Sequence, residues 1–90
     1  MPTNASKLLE AMRQSTAKWK RNDLVSLYEG YGFIIDTSRA NHDKVWHPKY
    51  PYLVTFLPRH RKLGNYLIRE AVNLVDRLIY LEQKGAENEQ

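Results

Sequence analysis

The chain of ninety residues contains no cysteine. Disulfides, thiolate metal sites and thiol nucleophiles are therefore excluded, which suits a reducing cytoplasm. Long apolar runs are also missing, because no segment approaches the roughly 18 apolar residues that a membrane-crossing helix needs. The opening stretch MPTNASKLLEAMRQSTAKWK has no continuous apolar core of a secretory leader. The expectation is a soluble cytoplasmic protein. With four glycines and four prolines, the sequence offers no low-complexity tract or linker that would divide it, and no internal repeat is visible. Gly-x-Ser-x-Gly, a glycine-rich phosphate loop and His-Glu-x-x-His are all absent as well.

A hydrophobic content of 42% in ninety residues supports one modest core. The sequence reads as a single domain over residues 1–83, followed by a polar tail, 84–90, expected to fray. Fourteen Lys and Arg against ten Asp and Glu give a formal charge of +4. The tail KGAENEQ holds one Lys and two Glu, so residues 1–83 carry an excess of five cations over anions. The densest basic run is RHRK, Arg59 to Lys62. Such a patch draws polyanions by releasing their condensed counterions. A solvated basic surface without any ligand is the plain alternative.

Leu8, Leu9 and Met12 fall at helical spacing in NASKLLEAMRQ, which predicts a first helix over residues 4–14 with Asn4 or Ser6 as N-cap. A second helix of about two turns is expected in LVSLYEG, capped by Asn22 or Asp23 and stopped by Gly30 and Gly32. From Gly32 the pattern changes. FIID, DKVWH and YLVTFL are short and rich in β-branched and aromatic residues, and HPKYP between the last two reads as a turn. Three antiparallel strands joined in sequence, ended by Pro58, are the simplest arrangement.

Asn65 then caps a long helix whose Ile68, Ala71, Val72, Val75, Leu78 and Ile79 form the stripe of a helix packed on a sheet. Leu67, Leu74 and Leu81 recur every seven residues beside it. They serve either as a seam for a partner chain, a homodimer included, or as a contact with the first helix, the more ordinary use. The fold class is α+β: a three-stranded antiparallel sheet with helices on one face.

All three histidines lie within NHDKVWHPKYPYLVTFLPRH. Successive strand residues face opposite sides, so His42 and His47, five apart, do not share a face. A metal site is disfavoured, since no further ligands accompany them. If Val45 points into the core, then His42, Lys44 and Trp46 point to the other face, which an antiparallel sheet can leave open. That face would offer an acid/base, a cation and a stacking ring to a nucleic acid. A half-buried Trp46 and an incidental His42 are the structural alternative. Asp43 and His47 are expected on the core side near strand ends, within reach of water. Asp36 and Asp43 read as solvated or paired with Arg39 and Lys44.

The order of YGF (Tyr31 to Phe33), NHDKVWHP (Asn41 to Pro48), PRH (Pro58 to His60) and YLIRE (Tyr66 to Glu70) resembles the HicA family of mRNA-cleaving toxins over about residues 22–80. The resemblance implies an α-β-β-β-α core similar to a double-stranded-RNA-binding domain, here over about residues 22–81 and preceded by an extra helix. It also implies a catalytic histidine at His42 and a HicB-like antitoxin as partner within a stress-response toxin–antitoxin system. One departure stands out: the family usually places Gly-Ser or Gly-Gly before that histidine, whereas this chain has Ala40-Asn41.

The side chains themselves allow RNA cleavage without metal or cofactor. The reaction needs a base for the 2′-hydroxyl, cations for the phosphate and an acid for the leaving 5′-oxygen. His42 is the candidate acid/base. Lys44, Trp46, Arg59, Arg61 and Lys62 are the candidate RNA contacts, and His60 is either a second acid/base group or a turn residue. The alternative is a non-catalytic RNA-binding or protein-interaction module on the same scaffold.

Overall fold

In the computed structural model of the chain, residues 4–38, 41–58 and 63–88 are described. The element order is α1 (Asn4–Gln14), α2 (Arg21–Gly30), β1 (Ile34–Asp36), β2 (His42–Trp46), β3 (Val54–Pro58) and α3 (Asn65–Asn88). This is the expected α+β layout, with all three strands antiparallel and β2 in the centre. No helix among the described residues is long and apolar enough to cross a membrane.

The helices bury the stripes that their spacing implies. Ala5, Leu9 and Met12 of α1 are buried, as are Ile68, Ala71, Val75 and Leu78 of α3. Leu67 and Leu74 also join the core, with Leu81 packed against it. The heptad leucines are thus used within the chain. A side chain at Gly30 would collide with Ala5, so the glycine at the end of α2 lets α1 come close. Arg13 fastens α1 to α3 by a two-pronged pair with Asp76, one prong of 2.7 Å, while Glu10 accepts from its Nε at 3.2 Å. In the turn after α1, the Trp19 indole donates to the Ser15 carbonyl at 2.8 Å.

Two boundaries differ from the sequence reading. The second helix starts at Arg21 and runs for ten residues. Asp23 is therefore not a cap but lies in the first turn, where its carboxylate accepts the Lys20 N–H at 2.9 Å. At the other end of the chain, α3 continues through the polar residues after Leu81 as far as Asn88. Lys49 in the β2–β3 turn ion-pairs with Glu82 at 3.1 Å, which helps to hold that extension.

The motif Tyr31-Gly32-Phe33 ends α2 and launches β1. The Phe33 N–H donates to the Tyr28 carbonyl at 3.0 Å and the Gly32 N–H to that of Glu29 at 3.1 Å. Gly32 has φ +88°, the left-handed conformation that this helix ending requires. The Phe33 ring then meets Tyr28 edge-on at 5.3 Å, which supplies the apolar contact that accompanies such a turn. Both rings are buried, and the chain leaves in the direction of the sheet.

Candidate nucleic-acid interface

The register of the sheet sorts its residues into two faces. Val45 pairs with Ile35 and Thr55, and Asp43 with Leu57. Val45, Leu57, Phe33 and Leu53 belong to the core shared with the helices. Thr55 donates its hydroxyl proton to Glu70 of α3, joining β3 to that helix. The other face runs in three rows across the strands: Ile34–Trp46–Val54, Asp36–Lys44–Phe56 and His42–Pro58. Here His42 is exposed, and Lys44 and Trp46 are half-buried. Ile34, Val54 and Phe56 are 42%, 39% and 47% exposed, large fractions for apolar side chains.

His42, Lys44 and Trp46 therefore share one uncovered face, as the alternation about Val45 implies. Among the described residues, no side chain hydrogen-bonds or ion-pairs with His42. Arg59, His60, Arg61 and Lys62 lie outside the described residues, as do Arg39 and Ala40.

Two expectations about the covered face need correction. Asp43 is 0% exposed rather than wetted at a strand end, and it ion-pairs with Arg21 at the start of α2, not with Lys44. The reason is that Asp43 faces the helices, where a carboxylate without a cation would be costly, and Arg21 reaches it from α2. His47 is also buried. Its Nδ1 accepts the Lys49 N–H at 3.1 Å, and its ring meets Phe33 edge-on at 5.1 Å. The imidazole thus closes the turn after β2, which gives it a structural task.

Asp36 is half-buried, and its Oδ1 accepts the Ser38 N–H at 2.9 Å. That bond is local to the loop after β1, and Lys44 lies directly across the ladder.

Ile34, Val54 and Phe56 were not among the candidates from sequence. YLVTFL reads as an apolar run suited to burial on both faces, and only the period of two set by Leu53 and Leu57 separates its members. The face as a whole combines an imidazole, an ammonium and two aromatic rings on an apolar floor. It can take a flat unsaturated group and an anion side by side, and it can exchange a proton at His42. Compared with known proteins, the chain matches no family model, no curated protein and no solved structure.

Proposed function

We propose that this protein is a HicA-like endoribonuclease that cleaves mRNA on the open face of its sheet, as the toxin of a toxin–antitoxin pair acting in the cytoplasm. The observation that carries the reading is the placement of His42, Lys44 and Trp46 together on that face, at alternate positions of β2. The order α2-β1-β2-β3-α3 supports a core similar to a double-stranded-RNA-binding domain. The motifs YGF, NHDKVWHP, PRH and YLIRE support the family.

In this reading the His42 imidazole takes the proton of a 2′-hydroxyl. The freed oxygen attacks the adjacent phosphorus, and the bond to the 5′-oxygen breaks. That oxygen receives a proton from a general acid, the role open to His60, and the products are a 2′,3′-cyclic phosphate and a 5′-hydroxyl. Lys44 stabilises the charge on the phosphate, together with Arg59, Arg61 and Lys62. A HicB-like antitoxin with an acidic surface covers the same face until the nuclease is released.

The test is incubation of RNA with the purified protein in excess chelator. Cleavage to cyclic-phosphate ends is expected, falling about a hundredfold or more in His42→Ala with the fold retained. Equal cleavage by the variant would remove His42 from the chemistry. The second reading, a binding module without catalysis, is favoured by Ala40-Asn41 before the histidine. It predicts RNA that is held but never cut.

A further inference from the structure

The open face contains more than the acid/base and cation that cleavage needs. Trp46 lies opposite Val54, and Phe56 lies opposite Lys44 on the neighbouring strand. The two rings are therefore diagonal neighbours, about 7–8 Å apart at the backbone, within mutual reach of aromatic side chains. Ile34 and Val54 flank Trp46 in its row and extend the apolar floor. Lys44 sits beside Phe56 in the next row, and His42 lies two residues further along β2, about 7 Å away.

We infer that this face binds an unpaired stretch of RNA by stacking two successive bases on Trp46 and Phe56, with Lys44 at the phosphate between them. The inference rests on the nuclease reading for its class of ligand and adds both the strandedness of the substrate and Phe56 as a contact. A duplex buries the faces of its bases against one another, so exposed rings gain nothing from it. A single strand can turn its bases outward, and any base offers a π-face to an aromatic platform. The excess of cations in the chain favours a polyanion over an acceptor-poor apolar peptide. Asp36, the acid opposite Lys44, accepts the Ser38 N–H with its Oδ1.

The experiment uses the full chain carrying His42→Ala, so that RNA stays intact. Labelled RNA of about eight nucleotides is titrated as a single strand and as a blunt duplex with its complement, following anisotropy and tryptophan emission. The single strand is expected to bind at least about tenfold more tightly than the duplex, with Phe56→Ala and Trp46→Ala each weakening it about tenfold. Phe56→Tyr and Trp46→Phe keep the platforms and should restore affinity, while Trp46→Phe loses most of the RNA-induced quenching.

Affinity unchanged in both alanine variants, a preference for the duplex, or no binding of the single strand would overturn the inference. So would self-association through this face, seen as a dimer that Phe56→Lys dissociates while RNA affinity is untouched. The two readings separate cleanly. Cleavage by the unsubstituted protein with a KM indifferent to both alanine variants sinks the stacking alone. Quenching and ring-dependent binding without cleavage sink the nuclease and leave the stacking in place.

Discussion

Phe56 and Leu57 are consecutive apolar residues of one strand, yet Phe56 is 47% exposed and Leu57 only 2%. The same division separates His42 from Asp43 and Lys44 from Val45 on β2. On the covered side every member is tied to a helix or to the core: Leu57 and Val45 by packing, Asp43 through Arg21, Thr55 through Glu70. On the open side His42, Ile34, Val54 and Phe56 are exposed and Lys44 and Trp46 half-buried, although Pro58 at the end of β3 is buried. One side of the sheet holds the molecule together, and the other is free to carry chemistry. Residue type alone does not decide which is which, since a phenylalanine is outside and an aspartate is inside.

That comparison can be broken by substituting neighbours. Leu57→Ala should cost about 2–5 kcal/mol of stability in urea unfolding, because it leaves a cavity in a core that can only partly collapse. Phe56→Ala should cost less than about 1 kcal/mol. Similar losses at both positions would show that the open face is in fact packed against something.

The polar pair should behave the same way. Arg21→Ala removes a cation paired with the sealed carboxylate of Asp43 and is expected to cost about 3 kcal/mol, whereas His42→Ala should stay within about 0.5 kcal/mol of the unsubstituted protein. A destabilised His42→Ala would mean that the imidazole is structural. It would also invalidate its use as a clean catalytic knock-out.

The smallest effect is a pH dependence on the covered side. Burial, and then the charge of Glu70, push the Tyr28 hydroxyl well above the ordinary tyrosine range. Below about pH 10 the group is protonated in both folded and unfolded chains, and its contribution to stability is complete. Above that, the unfolded chain ionises while the folded chain does not, so stability falls with rising pH at up to about 1.4 kcal/mol per unit for this group. Tyr28→Phe should flatten that alkaline slope, as measured by thermal unfolding between pH 9 and 11. An unchanged slope would assign the alkaline loss to other groups.

Much of this division was legible in the sequence because strands and helices write their burial with fixed periods. The first helix runs over the expected residues 4–14, and the alternation about Val45 placed His42, Lys44 and Trp46 together. Periodicity is silent about partners distant along the chain. Arg21 and Asp43 are 22 positions apart, and nothing local marks them as a pair. The same silence explains why Asp43 was assigned to nearby cations and why water was expected at His47. The start of α2 is ambiguous in sequence because Asp23 suits a cap and the first turn equally well. Phe56 was overlooked because its strand is apolar on both faces, which hides the period of two.

The alternation on β2 also fixes what an insertion or deletion would do there. Adding or removing a single residue inside the strand would swap every side chain between its faces, driving imidazole, ammonium and indole into oil and turning the carboxylate and valine out to water. Replacement at positions 42, 44 and 46 carries no such penalty, so the surface of this face can be rewritten while the scaffold stands. The hairpin from His47 to Leu53 sets the reading frame, and its hydrogen bonds hold both faces of the sheet in place.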